Sequence, residues 1–309
     1  MDAEDSVGLA NNINISLAHE LISKQFPHWA HLPIVPTKYS GWDNKTFRLG
    51  EELLIRMPSA ERYASQVNKE QHWLPILALK LSLQIPEPIA SGSPSVSYPW
   101  DWSIYKWIKG DNLSLINTEN NTTTATDLAQ FLLELHKIPT IGGPVARKHN
   151  FYRGGSLRVY DSETRQAIDK LNNTIDVNTS TQIWERALES QWQNKSVWIH
   201  GDFTADNILQ IDGKVVAVID FGGIGVGDPA CDLVIAWNYF SGESRKKFKS
   251  ILGLDQDTWH RAMGWALWKA LIVLADFDDS ECSGALKIQS VIDKIMDEYI
   301  LDNENENSL

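Results

Sequence analysis

The stretch that decides the fold covers residues 197–237 and reads VWIHGDFTADNILQIDGKVVAVIDFGGIGVGDPACDLVIAW. It contains, in order, the triplet His200-Gly201-Asp202, the residue Asn207 and the triplet Asp220-Phe221-Gly222. Asn207 follows Asp202 by five positions, and Asp220 follows Asn207 by thirteen. Apolar runs around 197–199, 208–210 and 215–219 predict short strands between these groups. A ribbon of the last two strands brings Asn207 and Asp220 to the same rim.

These residue types suit phosphoryl transfer, and their order and spacing match the catalytic and metal-binding loops of kinases. A carboxylate such as Asp202 can orient an attacking hydroxyl group and accept its proton. Mg²⁺ prefers hard oxygen ligands, which the Asp220 carboxylate and the Asn207 amide carbonyl supply. The segment therefore favours Mg²⁺-dependent transfer of a phosphoryl group.

The same segment resembles the signature of the aminoglycoside phosphotransferase family, small-molecule kinases of the protein-kinase-like superfamily. The run 219–233, IDFGGIGVGDPACDL, is especially similar to that family's metal loop and the helix start after it. Strong motifs cover 197–237, and weaker matches extend to about 36–275. The resemblance implies Asp202 as the catalytic base and Asn207 and Asp220 as the metal ligands. It also implies that His200 and a buried Asp232 support the site.

The order of elements predicts an α+β, bilobal protein-kinase-like fold. Residues 1–105 are expected to form a small lobe with an antiparallel sheet, and residues 106–309 a larger, mostly helical lobe that carries the active site. A nucleotide is expected between the lobes. Pro75 is expected to kink or divide a helix over 61–80. The polar stretch 117–126 predicts an exposed loop, and helices are predicted near 156–172, near 181–192 and from Pro229 onward.

Several residues of the first lobe are candidates for nucleotide binding. Ser40 and Gly41 lie in a turn that resembles the family's phosphate-covering turn. Arg56 occupies the strand position where many kinases place a lysine, and Glu70 in the next helix is its expected partner. The segment Lys106-Trp107-Ile108 is predicted to be the hinge that offers backbone groups to a purine. ATP and GTP both remain open as donors.

Composition limits the partners. The chain has 309 residues, and 28 basic against 40 acidic residues give a formal net charge of −12. No basic stripe is available for nucleic acid, and no apolar run approaches the roughly 20 residues of a membrane span. Two cysteines and an acidic start, Met1 to Asp5, predict a cytoplasmic protein without disulfides.

The acceptor is less readable. The resemblance implies an aminoglycoside-type antibiotic or amino sugar, and thus antibiotic resistance. An acidic cluster, Asp276 to Glu281, would attract a cationic acceptor, and the polar, glycine-bearing loop 150–155 suits the acceptor side. Trp237, Trp265 and Trp268 suit either the wall of a ligand site or a helical core.

The alternatives are a kinase of a macrolide or of a metabolic alcohol such as choline, homoserine or a thio-sugar. A binding protein that lost the chemistry is disfavoured because Asp202, Asn207 and Asp220 are all present. A protein kinase is disfavoured because only five residues separate Gly222 from Asp228, which leaves no room for an activation loop.

Overall fold

The computed structural model describes residues 12–38, 41, 43–116, 120–277 and 282–306. The chain forms two compact units. Unit 1 comprises Met1–Asp111 and Ile208–Ile224, and unit 2 comprises Asn112–Asn207 and Gly225–Leu309. The division thus differs from the predicted lobes, 1–105 and 106–309, because 106–111 and the hairpin after Asn207 pack with the first unit.

Unit 1 is built on a five-stranded antiparallel sheet with the order β1-β2-β3-β5-β4. Its strands are β1 Ile34–Pro36, β2 Asn44–Leu49, β3 Leu53–Pro58, β4 Pro88–Gly92 and β5 Trp102–Lys106. In the register, Arg56 on β3 lies opposite Thr46 on β2 and Ser103 on β5. The alternation of a strand therefore places Arg56, Ser103 and Tyr105 on one face of the sheet.

Two helices belong to unit 1, α1 Ile15–Gln25 and α2 Glu61–Ala78. Asn14 caps α1 by accepting a hydrogen bond from the Leu17 amide. Helix α2 is not divided at Pro75. Its buried face continues on both sides of the proline, through Glu70 at 2% exposed and Leu77 at 0%, so the packing of that face offsets the backbone hydrogen bond that the proline removes.

A hairpin of β8 Ile208–Ile211 and β9 Lys214–Val218 completes unit 1. Asp212 and Gly213 both have positive φ, 50° and 78°, as an Asp-Gly turn of the hairpin type requires. Leu209 and Ala217 share a small apolar core with Ile108. The short strand β6, Asp111–Asn112, pairs with β8 where the chain passes from one unit to the other. These contacts explain why the hairpin groups with unit 1.

Unit 2 is mainly helical, with a ribbon of β7 Val197–Ile199 and β10 Gly225–Gly227. Its helices are α3 Thr122–Lys137, α4 Asp161–Lys170, α5 Val177–Glu189, α6 Ile235–Asn238, α7 Gly242–Leu252, α8 Gln256–Ala275 and α9 Ser283–Glu306. Helix α8 is buried over most of its length. At Gly264 a Cβ would lie 2.4 Å from that of Ala187, so the glycine allows α5 and α8 to approach closely.

The prediction of an exposed loop over 117–126 is wrong for its second half, since α3 begins at Thr122. The Asn121 side chain accepts hydrogen bonds from the amides of Thr123 and Thr124, which caps the helix. Residues 117–119 lie outside the described residues. The segment from Pro229 to Val234 is a 3₁₀ helix rather than an α-helix, and Asp228 caps it by accepting a hydrogen bond from the Ala230 amide.

Candidate active site

The loop after β7 is anchored by the buried carboxylate of Asp232. Asp232 is 0% exposed and accepts hydrogen bonds from the amides of His200, at 2.6 Å, and Gly201, at 2.7 Å. Burial raises the pKa of Asp232, against the lowering effect of these two residues. Gly201 has a φ of 85°, which favours glycine. These contacts therefore fix the backbone conformation just before Asp202.

Asp202 and Asn207 are in direct contact. The Asn207 amide nitrogen donates to the backbone oxygen and to Oδ2 of Asp202, each at 2.9 Å. Both partners are acceptors, so the NH₂ end of Asn207 must face Asp202, and its carbonyl Oδ1 is the atom left for a cation. The Asp202 amide donates to His200 Nδ1 at 3.2 Å. The Asp202 side chain remains exposed to solvent.

In unit 1, Arg56 lies between two carboxylates. Its Nη1 donates to both oxygens of Glu70, at 2.9 and 3.0 Å, and its Nη2 donates to Asp220 Oδ1 at 2.8 Å. The Tyr105 hydroxyl also donates to Glu70. Burial works against the guanidinium charge, but the two carboxylates outweigh it and raise the pKa of Arg56. The side chains of Arg56, Glu70 and Asp220 therefore form one ionic network.

Asp220 follows β9 and has a left-handed backbone with a φ of 62°. Non-glycine residues adopt this conformation rarely and most often at functional positions, although aspartate tolerates it better than most. The Asp220 side chain is 37% exposed, so its carboxylate keeps contact with solvent while it is fixed by Arg56. It is a hard oxygen donor with a defined direction.

Among the described residues, no three His, Cys, Asp or Glu side chains form a group that could hold a metal. Mg²⁺ in phosphoryl-transfer enzymes is usually bound by one or two carboxylates and completed by waters and substrate phosphates. The Asp220 carboxylate and the Asn207 amide carbonyl are each an oxygen donor of the hard type that Mg²⁺ prefers.

The remaining nucleotide candidates lie in the turn before β2 and in the segment after β5. Ser40 lies outside the described residues, and a Cβ built on Gly41 would have nothing within 4 Å. The amides of Lys106 and Trp107 donate to the carbonyls of Glu87 and Glu52, at 2.9 and 2.7 Å, so neither offers its N–H to a purine in this structure. Ile108 is buried in the core of the hairpin.

On the acceptor side, the structure places Trp237, Trp265 and Trp268 in the core, each less than 5% exposed. Trp237 and Trp268 donate their ring N–H groups to Glu298 and Glu163. The core interpretation of these tryptophans therefore holds. Asp278, Asp279 and Glu281 of the acidic cluster lie outside the described residues.

Sequence reasoning missed Tyr105 and the link between Arg56 and Asp220. Tyr105 lies two positions from Ser103, which faces Arg56 across the sheet, so the alternation of a strand was the available signal. The contact with Asp220 spans 164 positions along the chain, and no local pattern predicts it.

The model of the phosphotransferase enzyme family matches residues 38–265 of the chain. An aminoglycoside 3'-phosphotransferase of Escherichia coli is 31% identical over 144 residues, which are 41% of this chain and 48% of that protein. The chain thus matches about half the length of this curated relative.

Solved structures share the fold. A complex of an aminoglycoside 2''-phosphotransferase with GDP and kanamycin has a TM-score of 0.68 at 19% identity, covering 95% of this chain and 99% of that one. A macrolide 2'-phosphotransferase has a TM-score of 0.60 at 17% identity, covering 89% and 95%. The predicted α+β kinase-like fold is confirmed. Among the described helices, none combines the length and apolar character needed to cross a bilayer.

Proposed function

The chain belongs to the phosphotransferase enzyme family, and we propose that it transfers the γ-phosphoryl group of ATP or GTP to a hydroxyl group of an aminoglycoside-type antibiotic or amino sugar. The observation that carries this proposal is the Asp202–Asn207 contact. It joins an exposed carboxylate to an amide whose carbonyl points away from it, on a loop braced by Asp232.

Each residue has a defined task in the proposed reaction. Asp202 orients the acceptor hydroxyl and takes its proton late, because the transition state of phosphoryl transfer is loose. Asn207 and Asp220 would hold the divalent cation through oxygen atoms, and Arg56 keeps the Asp220 carboxylate in place. When bound, Mg²⁺ would supply charge neutralisation at the phosphates, which otherwise repel the hydroxyl. His200 and Asp232 fix the backbone around Asp202.

An aminoglycoside is the favoured acceptor for two reasons. The curated relative at 31% identity is an aminoglycoside 3'-phosphotransferase. The net charge of −12 also attracts a polycationic acceptor and repels an anionic one. Macrolides and metabolic alcohols are the alternatives that the experiment separates.

The test is a coupled assay of nucleotide consumption with ATP and with GTP. The acceptor panel holds kanamycin, streptomycin, a macrolide, choline and homoserine. We expect turnover with at least one aminoglycoside. Asp202→Asn should lower kcat by about 10² to 10⁴ while nucleotide binding persists, because it removes the proton acceptor and keeps the shape.

Asp206→Asn is the matched control, since Asp206 is an exposed carboxylate of the same loop and has no role in the proposed chemistry. It should retain near wild-type kcat. Turnover confined to the macrolide, to choline or to homoserine would refute the acceptor. An unchanged rate in Asp202→Asn would refute the base.

A further inference from the structure

Helix α2 presents a second polar group to the loop that follows Asp220. Lys69, the neighbour of Glu70, donates from Nζ to the backbone carbonyl of Gly222 at 2.7 Å. Burial lowers the pKa of Lys69 to about 8. A half-buried lysine thus holds a backbone oxygen two residues beyond Asp220.

One turn earlier on α2, Gln66 packs on the same glycine. Gln66 is 3% exposed, and a Cβ at position 222 would lie 2.7 Å from its Oε1, 2.9 Å from its Cδ and 3.1 Å from its Nε2. Gly222 is not among the residues with positive φ, so no left-handed backbone demands a glycine there. A side chain at position 222 would instead have to displace the Gln66 amide.

Gln66 also reaches the turn before β2. Its Nε2 donates to Asp43 Oδ2 at 3.4 Å, and the Asp43 carbonyl accepts from the amide and hydroxyl of Ser59. The Gln66 Oε1 has no hydrogen-bond partner within the part of the chain that the structure describes. Its place is therefore decided by packing against Gly222 and by the bond to Asp43.

We propose that Gln66 and Lys69 are positioning residues that hold the loop 220–223 from α2, so that the Asp220 carboxylate keeps the direction its cation needs. Lys69 donates a hydrogen bond to the Gly222 carbonyl, and the Gln66 side-chain amide packs against the same residue where a Cβ would otherwise lie. Arg56 fixes the carboxylate itself. The loop is thus held at the side chain of Asp220 and, independently, at the backbone two residues later. The assignment rests on the proposed role of Asp220 as a metal ligand.

The first test measures metal binding directly, by Mn²⁺ electron paramagnetic resonance with ADP present. Removing a group that orients a metal ligand typically weakens metal binding by about 10- to 100-fold. We expect Lys69→Met to raise the Mn²⁺ dissociation constant about tenfold and Lys69→Arg, which keeps a donor, to restore most of the affinity. Lys80→Met is the control, because Lys80 is exposed just beyond α2 and should leave the affinity unchanged.

The second test enlarges Gly222 and then shortens Gln66, the residue that packs against it. Gly222→Ala should weaken Mn²⁺ binding, because the new methyl group must displace the Gln66 amide, which would lie 2.7 to 3.1 Å from it. Gln66→Ala in the same chain removes the obstacle, so the double variant should bind Mn²⁺ several-fold more tightly than Gly222→Ala alone. A double variant no better than Gly222→Ala would overturn the packing argument.

A readout without metal or nucleotide separates this proposal from the proposed function. Amide hydrogen exchange over 219–224 should be faster in Lys69→Met than in the wild type and unchanged in Lys80→Met. If no acceptor is phosphorylated, the proposed function fails while these measurements still decide the role of Lys69. Equal exchange and equal Mn²⁺ affinity in Lys69→Met and the wild type would overturn it. The proposal would also be overturned if Lys69→Met lowered the affinity for ADP by the same factor with and without metal, since Lys69 would then bind phosphate directly.

Discussion

Removal of Arg56 should strongly destabilise unit 1. It is 8% exposed and Glu70 is 2% exposed, and the three contacts to Glu70 and Asp220 are 2.8 to 3.0 Å long. Arg56→Met leaves the Glu70 carboxylate buried without its cation. Breaking a buried pair by removing one partner costs about 3–5 kcal/mol, so the free energy of unfolding should fall by about that amount.

Arg56→Lys keeps the positive charge but replaces the guanidinium, whose two Nη groups donate to separate carboxylates, by a single ammonium group. It should lose about 1–3 kcal/mol, since hydrogen bonds to charged groups contribute about 1.5–3 kcal/mol each and one carboxylate loses its partner. The double variant Arg56→Met with Glu70→Leu should recover part of the loss, because a buried pair replaced by apolar groups is often close to neutral.

The assay is urea unfolding at pH 7, followed by circular dichroism. Arg186→Met is the control, because its pair with Glu189 spans 3.3 Å with side chains 42% and 62% exposed. Such surface pairs contribute about 0–1 kcal/mol. If Arg56→Met cost no more than Arg186→Met, the network around Glu70 would not be desolvated and the reasoning would be wrong.

Two further predictions concern unit 2 and the hairpin. Burial lowers the pKa of His136 to about 4 from 6.5. Between these pH values the imidazole is protonated in the unfolded chain but not in the folded one. The free energy of unfolding should therefore fall by about 3 kcal/mol as the pH drops from 6.5 to 4. In urea unfolding at pH 6.5 and pH 4, His136→Gln should lose less stability between the two pH values than the wild type. An equal loss in both proteins would contradict the prediction. Gly227→Ala should lower the free energy of unfolding by about 3 kcal/mol or more, because its Cβ would lie 2.1 Å from the Gly154 backbone oxygen. Gly213→Ala, with nothing within 4 Å of the added Cβ but a φ of 78°, should lose only about 1 kcal/mol. Urea unfolding of both variants measures the two losses, and a larger loss at Gly213 than at Gly227 would refute the argument from space.

The residues proposed for the chemistry could be chosen from the sequence because phosphoryl transfer demands particular atoms. Turns and helix caps do not require two carboxylates and an amide at these distances along the chain, so Asp202, Asn207 and Asp220 could be selected without coordinates. The pairing of Arg56 with Glu70 was also accessible. A cation on a buried strand needs an anion, and the next helix offered Glu70 fourteen positions later, where the structure places it in contact.

What the sequence did not disclose depends on packing between distant segments. Glycines beside a nucleotide site often let the backbone turn close to phosphate. The structure gives Gly225 and Gly227 another cause, because added Cβ atoms would meet the Asn150 side chain at 2.6 Å and the Gly154 oxygen at 2.1 Å. Composition alone does not separate a glycine needed for its backbone angles from one needed for its lack of a side chain.

The arginine at position 56 shows how such packing changes the chemistry of a motif. A lysine ammonium is a compact charge, whereas a guanidinium offers donors in a fixed fork that can face two carboxylates at once. Here Nη1 faces Glu70 and Nη2 faces Asp220. Because one Asp220 oxygen already accepts a hydrogen bond from Arg56, the carboxylate would attract a cation less strongly than a free one, but its direction is already fixed. Lys69 and Gln66 act on the same loop through its backbone, so the direction of Asp220 depends on α2 twice, once through Glu70 and once through Gly222.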